Sequence, residues 1–427
     1  MMPDSIAISP ATGPVDGSIS PPGSKSLTNR ALPIAAIARG RSVLEGVLDS
    51  DDTQAMIESL RRLGVDIEHQ PDQNCVIVEG QGGQLPNTSA ELFVGNSGTT
   101  IRFLTALLGF AGGNFRLDGI PRMRERPIGP LVSALNALGA NVAAESPHDC
   151  PPVSIQSSRI SGGKVSISGN TSSQYLSGLM MAAPLAENDV VIEIDGPLIS
   201  KPYVEMTAAV MKSFGVECTI NETLDRFEIA GGQTYQATSY SIEPDASAAS
   251  YFWAAAAICG GSATIKGLNQ HSLQGDVHFV DCLEQMGCEV QWGENEITVS
   301  GPATRGIDVD MSNVSDTVQT LAAVALFVEG TTTVRNIAHN RVKETDRIGN
   351  LAIELRKFGV QVDDFEDGLS IHPSPLNGAE IETYDDHRMA MSLALVGLKQ
   401  PGVIIKDPGC VSKTYPKYFE ELAAFVS

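Results

Sequence analysis

One pattern recurs along the chain: a helix tail that ends in glycine, followed by residues that alternate as in a half-buried strand. It occurs in LRRLGVDIEHQ, LNALGANVAAE, MKSFGVECTI, LEQMGCEVQW and LRKFGVQVDD. Successive glycines are separated by 75, 76, 72 and 72 residues, at Gly64, Gly139, Gly215, Gly287 and Gly359. Glycine after an amphipathic helix commonly takes the left-handed conformation that ends the helix. The spacing therefore predicts a repeated α/β unit.

A second pattern lies between these tails: a polar start followed by a nearly all-apolar segment rich in Ala and Leu. The starts are separated by 74, 74, 73, 71 and 69 residues and are marked by Ser24, Gly98, Ser172, Asp245, Asp316 and Asp385. Six copies account for the chain. A helix that is apolar on nearly every side must be enclosed, so we predict six buried helices with sheets and amphipathic helices outside them.

The sixth copy is incomplete, because only five copies show the glycine tail. The last helix, YPKYFEELAAF, needs strands after it, and SIAIS and SIS near the N-terminus are candidates to supply them. This closure predicts a discontinuous outer domain, residues 1–22 plus 243–427, and an inner domain, residues 23–242. The chain would cross between them near 21–23 and 240–243, and two such hinges favour a clamshell. The alternative is a linear solenoid of six units.

Composition narrows the class of protein. Among 427 residues, 51 acids and 29 bases give a net charge of -22, which makes nucleic acid an improbable partner. We see no uninterrupted apolar run of about 18 residues, so no membrane span is predicted. The N-terminus lacks the pattern of a secretory signal, and the seven scattered cysteines form no CxxC pair. We therefore predict a reduced, cytoplasmic protein without a metal site or disulfide framework.

Basic residues recur at the starts of the predicted helices, where the helix dipole is already positive. They are Lys25, Arg30, Arg102, Arg122, Arg124, Arg126, Lys201, Arg341, Lys343, Arg347, Arg388, Lys413 and Lys417. Cations there are unfavourable unless a carboxylate or a bound anion neutralises them, which predicts anion sites. GSKS is not a nucleotide P-loop, because Ser24 separates the glycine from the lysine. For RVKETDR an exposed helix start remains an alternative, and for Arg388 a pair with Asp385 or Asp386.

Ten segments, in order, resemble the 5-enolpyruvylshikimate-3-phosphate synthase family: PPGSKSLTNRAL, LDSDD, GNSGTTIR, PRMRERPIG, SSQYL, SKPY, PDASAAS, RVKETDR, DDHRMAM and KTYPKYFE. The resemblance implies an α/β fold of two similar domains, each of three βαβαββ units around buried parallel helices. It also implies that the enolpyruvyl group of phosphoenolpyruvate passes to the 5-hydroxyl of shikimate 3-phosphate, releasing phosphate through a tetrahedral intermediate. This is a transferase of the shikimate pathway to chorismate and aromatic amino acids, and no cofactor is expected.

The resemblance also implies the site residues. The ligands of shikimate 3-phosphate would be Lys25, Ser26, Arg30, Ser172, Ser173, Gln174, Ser200, Asp316, His339 and Lys343. The ligands of phosphoenolpyruvate would be Lys25, Gly98, Arg126, Gln174, Arg347, Arg388 and Lys413. Asp316 matches the base at the 5-hydroxyl, and the other groups expected to take part in catalysis are Lys343, Glu344 and Lys25. Which group protonates the methylene carbon of phosphoenolpyruvate stays open.

Some positions depart from the family pattern. His339 stands where members often have Asn, so either His339 or Asn340 would contact the shikimate phosphate. Thr100 and Phe103, in NSGTTIRF, would change the surroundings of Gly98. Because Gly98 itself is retained, the resemblance implies sensitivity to glyphosate.

Two other functions remain as alternatives. UDP-N-acetylglucosamine enolpyruvyl transferases usually carry a reactive cysteine in the loop matched by FRLDGIPRMRERP, and no Cys occurs between Cys75 and Cys150. A non-catalytic anion-binding relative would not need Asp316, Lys343 and Glu344. We further expect a monomer, and we expect Lys25 and Arg30 to be satisfied only when the two substrates are bound.

Overall fold

One α/β pattern is repeated in two parts of the chain. The structure is a computed structural model that describes residues 3–170 and 172–427. The chain divides into two compact units. The continuous unit is Gly23–Ile242, and the discontinuous unit joins Met1–Pro22 with Glu243–Ser427. Hinge motion at the two crossings stays a prediction.

The described residues contain two kinds of α-helix that alternate along the chain. The apolar kind, which starts each copy, comprises α1 (Lys25–Ile37), α3 (Gly98–Ala111), α5 (Ser173–Ala182), α7 (Ala246–Cys259), α9 (Val318–Ala325) and α11 (His387–Gly397). The other kind comprises α2 (Asp51–Arg62), α4 (Gly129–Ala137), α6 (Lys201–Ser213), α8 (Phe279–Gln285), α10 (Gly349–Lys357) and α12 (Tyr418–Phe425). The first kind is buried along nearly its whole length, as its composition predicts.

The strands of the continuous unit follow the helices in a regular order. They are β3 (Arg39–Glu45), β4 (Asp66–Gln70), β5 (Cys75–Gln81), β6 (Ser89–Phe93), β7 (Gly113–Asp118), β8 (Val142–Ala144), β9 (Val153–Ser157), β10 (Gly163–Ser168), β11 (Val190–Asp195), β12 (Cys218–Ile220), β13 (Arg226–Ile229) and β14 (Ser239–Ser241). They form three four-stranded sheets, β14-β3-β5-β4, β6-β7-β9-β8 and β10-β11-β13-β12. In each sheet the first two strands are parallel and the remaining pairs are antiparallel.

The discontinuous unit repeats this topology. Its strands are β1 (Ser5–Ala7), β2 (Val15–Ile19), β15 (Gly261–Lys266), β16 (Glu289–Trp292), β17 (Glu296–Gly301), β18 (Asp308–Asp310), β19 (Thr332–Arg335), β20 (Gln361–Phe365), β21 (Gly368–His372), β22 (Glu380–Ile381) and β23 (Ile404–Lys406). Two sheets have four strands, β2-β15-β17-β16 and β18-β19-β21-β20, and the third is β22-β23-β1. The repeated α/β architecture predicted from the sequence is confirmed.

The two N-terminal strands belong to different sheets. Strand β1, from SIAIS, pairs antiparallel with β23 and so completes the sixth copy, as predicted. The corresponding prediction for SIS is wrong, because β2 pairs in parallel with β15 and belongs to the sheet of the fourth copy. Helix α12 nevertheless packs near this strand: a Cβ on Gly17 would lie 2.7 Å from the ring of Phe425.

The five helix ends predicted at glycine are confirmed, and three of the six predicted polar starts are helix caps. Five glycines end the amphipathic tails, and their φ angles lie between 81° and 106°. They are Gly64, Gly139, Gly215, Gly287 and Gly359. At the starts, Ser24, Ser172 and Asp245 cap α1, α5 and α7, each accepting a hydrogen bond from a backbone N–H of its helix. These positions are set by local backbone chemistry, which explains why the sequence alone predicts them.

The core of each unit is the set of buried helices together with the inner faces of its sheets. In the discontinuous unit, Trp253 of α7 is completely buried, and its indole N–H donates to the Ile297 carbonyl oxygen at 3.2 Å. Aromatic rings of α7 and α12 pack there edge to face, with Phe252 and Phe425 5.0 Å apart between centroids. Burying these large side chains is the main favourable term in the stability of such a unit.

Gly23, directly before the cap of α1, allows us to test a close approach of two backbone segments in the continuous unit. A Cβ at Gly23 would lie 1.7 Å from the carbonyl oxygen of Gly46, whereas a Cβ at Gly13 would meet nothing within 4 Å. We predict that Gly23→Ala lowers the free energy of unfolding by about 1–3 kcal/mol, because the backbone has to move apart. Urea denaturation of both variants measures this, with Gly13→Ala as the matched control. Equal stability of the two variants would contradict the close approach at Gly23.

Candidate active site

In the continuous unit, the first turns of three buried helices meet. The amide nitrogen of Asn29, on α1, donates to Thr99 Oγ1, on α3, at 2.7 Å. Arg102, one turn further along α3, donates from Nη1 to Gln174 Oε1, on α5, also at 2.7 Å. Helix N-termini present free N–H groups and the positive end of the helix dipole, so this arrangement favours anions.

Arg30 lies beneath these helix starts and is only 1% exposed. Its guanidinium donates to Thr207 Oγ1 at 2.8 Å and to the Ser26 carbonyl oxygen at 2.8 Å, with longer bonds to Ser177 Oγ and the Tyr203 carbonyl oxygen. These four acceptors are neutral. Burial lowers the pKa of Arg30 to about 10, which still leaves it charged near neutral pH. The protein therefore keeps a buried positive charge at this point.

The expectation that Lys25 and Arg30 are satisfied only by substrates is wrong. Arg30 has the four hydrogen bonds just described, and Lys25 Nζ lies 3.4 Å from a carboxylate oxygen of Asp52. Both side chains of this ion pair are largely buried, at 12% and 4% exposure. The hydrogen-bonding capacity of Arg30 is largely used by neutral oxygens, which leave its positive charge in place.

Gly98, at the start of α3, lies against two guanidinium groups. A Cβ at this position would be 2.6 Å from Arg126 Nη2 and 2.7 Å from Arg102 Nη1. Arg126 is held by Asn96, whose carbonyl oxygen lies 3.0 Å from Nη1. Because a side chain at residue 98 would displace these groups, glycine is required for the two cations to approach the helix start.

Thr100 and Phe103, which depart from the family pattern, pack behind this helix start. Thr100 Oγ1 lies 2.8 Å from Ser97 Oγ and 3.4 Å from the Asp52 carbonyl oxygen. The ring of Phe103 lies beside Arg30, with 5.3 Å between its centroid and the guanidinium carbon. Both residues therefore support groups of the site without replacing any of them.

Three of the serines implied by the resemblance lie at the starts of α5 and α6. Ser172 caps α5 and accepts from the Gln174 backbone N–H at 3.3 Å, and Ser173 is the first residue of that helix. Ser200, directly before α6, is 4% exposed and has a left-handed conformation with φ of 52°. Hydroxyl groups at helix starts supply directional donors for an anion.

In the discontinuous unit, Asp316 is shared by three cations. Its carboxylate lies 2.8 Å from Arg388 Nη2, 3.3 Å from Arg347 Nη1 and 3.7 Å from Lys343 Nζ. Arg388 also donates to Ser247 Oγ at 3.1 Å, which joins α11 to the first turn of α7. The arrangement combines a carboxylate with several groups that attract phosphate or carboxylate.

Arg347 connects Asp316 to two other carboxylates. Its Nε lies 2.7 Å from Asp386, and its Nη2 lies 2.8 Å from Glu344. Although burial disfavours its charge, these carboxylates raise the pKa of Arg347 above that of a free guanidinium. Glu344 also lies 4.0 Å from Lys413 Nζ. The structure thus brings together Asp316, Glu344, Arg347 and Lys413 from distant parts of the sequence.

The pKa of Lys343 shifts in the opposite direction to that of Arg347. Burial lowers the pKa of Lys343, and the repulsion of Arg347 acts in the same direction, while Asp316 opposes it. An ammonium group whose charge is disfavoured gives up a proton more easily.

His339 and Asn340 both contact Ser315, the residue before Asp316. His339 Nε2 lies 3.0 Å from Ser315 Oγ, and the Asn340 amide nitrogen donates to the Ser315 carbonyl oxygen at 2.9 Å. Burial, with a smaller contribution from Lys343, lowers the pKa of His339 to about 3. At neutral pH this side chain is therefore neutral and offers a hydrogen bond without a charge.

Three residues of the arrangement were not among the site residues implied by the resemblance: Asp52, Arg102, which was named only among the bases at helix starts, and Asp386, which was named only as a possible partner of Arg388. The sequence alone could have identified Arg102, because it lies four residues after Gly98 and therefore on the same face of α3. The pairs Lys25–Asp52 and Arg347–Asp386 join different segments, so only tertiary structure identifies the partners.

Within the described ranges, no helix has both the length and the apolar character required to cross a membrane.

Comparison with known proteins gives consistent matches. Residues 10–422 match the family model described as EPSP synthase (3-phosphoshikimate 1-carboxyvinyltransferase). The 3-phosphoshikimate 1-carboxyvinyltransferase of Nostoc punctiforme is 48% identical over 97% of this chain and 98% of its own. That of Erwinia tasmaniensis is 47% identical over 99% of both chains. The solved structure of EPSP synthase from Acinetobacter baumannii is similar with a TM-score of 0.81 at 26% identity, covering 98% of this chain and 97% of that one.

The lowered pKa of His339 predicts how stability depends on pH. Between about pH 3 and 6.5 the unfolded chain binds a proton at this histidine that the folded protein does not, so acid destabilises the fold. Replacing His339 removes this loss of stability in acid. We expect the decrease in unfolding free energy from pH 7 to pH 5 to be smaller in His339→Asn by about 2 kcal/mol. Urea denaturation at both pH values measures it.

The exposed His271 provides the matched control, and His271→Asn should retain the pH dependence of the parent protein. If His339→Asn also retained it, the histidine would not be buried in its neutral form.

Proposed function

We infer that this chain, which belongs to the EPSP synthase family, catalyses 3-phosphoshikimate 1-carboxyvinyl transfer: the enolpyruvyl group of phosphoenolpyruvate passes to the 5-hydroxyl of shikimate 3-phosphate, and phosphate is released. The observation in the structure that carries the function is the contact of Asp316 with three cations. A proton acceptor next to groups that bind phosphate and carboxylate is what this reaction requires.

The groups proposed to bind shikimate 3-phosphate lie mainly at the helix starts of the continuous unit. They are Lys25, Ser26, Arg30, Ser172, Ser173, Gln174 and Ser200, with Asp316, His339 and Lys343 from the discontinuous unit. The buried charge of Arg30, whose four acceptors are neutral, supports this role, since an anion near it gains electrostatic energy in a poorly solvated place. The neutral state of His339 supports its role as a hydrogen-bonding group.

The groups proposed to bind phosphoenolpyruvate are Lys25, Gly98, Arg126, Gln174, Arg347, Arg388 and Lys413. Guanidinium groups form paired hydrogen bonds with carboxylate and phosphate oxygens, which suits a ligand that carries both. The absence of a side chain at Gly98 supports its place here, because the backbone can approach the ligand beside Arg126.

Three proton movements accompany the transfer, two in the addition step and one in the elimination step. In the addition step, Asp316 takes the proton of the 5-hydroxyl, the oxygen bonds to the substituted carbon of phosphoenolpyruvate, and a proton is added to its methylene carbon. In the elimination step, the resulting methyl group loses a proton, the carbon–oxygen bond to phosphate breaks, and the enolpyruvyl double bond forms. Lys343 and Glu344 are the proposed partners at carbon. The lowered pKa of Lys343 supports its ability to give up a proton.

Cytoplasmic location, the monomeric state and sensitivity to glyphosate stay predictions.

The choice of acceptor tests the function directly. We expect phosphate release from phosphoenolpyruvate with shikimate 3-phosphate and none with UDP-N-acetylglucosamine. A colorimetric phosphate assay, together with mass spectrometry of the product, distinguishes the outcomes. Release that depends only on the nucleotide sugar would contradict the proposal, and binding of both anions without turnover would indicate a non-catalytic relative.

Asp316→Asn tests the proposed base. The amide cannot accept the hydroxyl proton, so we expect turnover to fall by about a hundredfold or more, while shikimate 3-phosphate still binds. Steady-state kinetics and calorimetry measure the two effects. Asp308→Asn, which changes an exposed aspartate paired with Arg335 in the same unit, is the matched control and should leave turnover unchanged. Full activity of Asp316→Asn would exclude this aspartate as the base.

A further inference from the structure

The side-chain amide of Gln174 has two ends with opposite hydrogen-bonding properties. Its oxygen accepts hydrogen bonds, and its NH₂ group donates them. An anionic substrate is attracted only by the NH₂ end. The direction in which the amide is held therefore decides whether Gln174 helps or hinders the binding of an anion.

Arg102 determines that direction. Its Nη1 lies 2.7 Å from the Oε1 position of Gln174. A guanidinium group has only N–H donors and no acceptor, so the amide atom facing it has to be the oxygen. This conclusion comes from the chemistry of the pair, and it leaves the NH₂ group of Gln174 directed to another partner.

Arg102 is itself fixed in place and 5% exposed. Its guanidinium carbon lies 5.5 Å from the ring centroid of Tyr175, and Nη2 lies 3.4 Å from the carbonyl oxygen of Pro127. The Tyr175 hydroxyl donates to the same carbonyl oxygen at 2.5 Å. Two neighbouring residues of α5, Gln174 and Tyr175, thus hold one arginine of α3, so the amide cannot turn without disturbing this cluster.

The position of the pair relates it to the rest of the site. A Cβ on Gly98 would lie 2.7 Å from the same Nη1 that bonds to Gln174. One nitrogen of Arg102 therefore lies close both to the helix start at Gly98 and to the amide of Gln174.

We propose that Arg102 is a positioning residue that holds the Gln174 amide with its NH₂ group toward the anionic substrates. The proposal rests on the proposed function, in which Gln174 contacts both shikimate 3-phosphate and phosphoenolpyruvate. Without Arg102 the amide turns freely, and its oxygen then faces the anion in part of the molecules.

A double-mutant cycle tests the proposal. The four proteins are the parent, Arg102→Met, Gln174→Ala and the double variant. Each single change should weaken the affinity for shikimate 3-phosphate, or raise the KM for phosphoenolpyruvate, by about tenfold, as expected for loss of a hydrogen bond to a charged group. In the Gln174→Ala background, Arg102→Met should change either constant by less than about twofold, because nothing is left to position. Calorimetry and steady-state kinetics provide the constants.

Independent, multiplying effects of the two changes would overturn the proposal, since they would mean that Arg102 acts through its charge alone. Arg102→Lys provides a second variant should Arg102→Met fail to fold. Lysine is also a donor without an acceptor, so it should restore part of the affinity in the Gln174 background and none in Gln174→Ala. Restoration in both backgrounds would likewise overturn the proposal.

Arg159→Met is the matched control, because this exposed arginine of the same unit donates to a backbone carbonyl oxygen, that of Leu185. It should leave both constants unchanged. Turnover by the parent protein keeps the two inferences separate: its absence would contradict the proposed function, whereas turnover with independent effects of Arg102 and Gln174 would contradict only the role of Arg102.

Discussion

Each unit encloses helices that are apolar on nearly every side, and this enclosure brings their N-terminal turns together inside the protein. In the continuous unit the contact is made by Asn29 with Thr99 and by Arg102 with Gln174. In the discontinuous unit, the hydroxyls of Ser250, Thr320 and Ser392 join three helices at 3.1 Å and 3.2 Å. Free backbone N–H groups and positive helix ends are thereby collected in each unit, and every charged residue nearby has to fit that potential.

The two units meet this constraint in different ways. In the discontinuous unit, three carboxylates accompany the cations: Asp316, Glu344 and Asp386 contact Lys343, Arg347, Arg388 and Lys413. In the continuous unit, Lys25 also contacts a carboxylate, that of Asp52, but Arg30 and Arg102 have neutral oxygens as hydrogen-bond acceptors. The charge of Arg30 is kept in a poorly solvated place, where it acts strongly on an anion. This local arrangement explains how a chain with a net charge of -22 still contains clusters of buried cations.

Features that depend on neighbouring residues can be predicted from the sequence, whereas features that depend on tertiary contacts cannot. The five glycine tails follow from neighbouring residues, and the structure has them as predicted. Three of the predicted polar starts, Ser24, Ser172 and Asp245, are helix caps. The place of β2 was predicted wrongly, because a short strand of alternating residues fits several sheet edges and the choice of β15 depends on tertiary packing. The neutral acceptors of Arg30 could not be predicted either, since Thr207 and Ser177 lie on other helices. The assigned roles of the site residues remain predictions.

The contacts of Asp316 indicate an order of events for the proposed reaction. Three cations next to a carboxylate stabilise its charged form and make it a poorer proton acceptor. If phosphoenolpyruvate binds Arg347 and Arg388 as proposed, the Asp316 carboxylate would lose part of this stabilisation, and the negative charge of the substrate would increase the affinity of Asp316 for a proton. Both changes act in the same direction. Asp316 would then become an effective base only when the substrate is bound, so the empty protein could keep a well-paired carboxylate and still provide a base for the reaction.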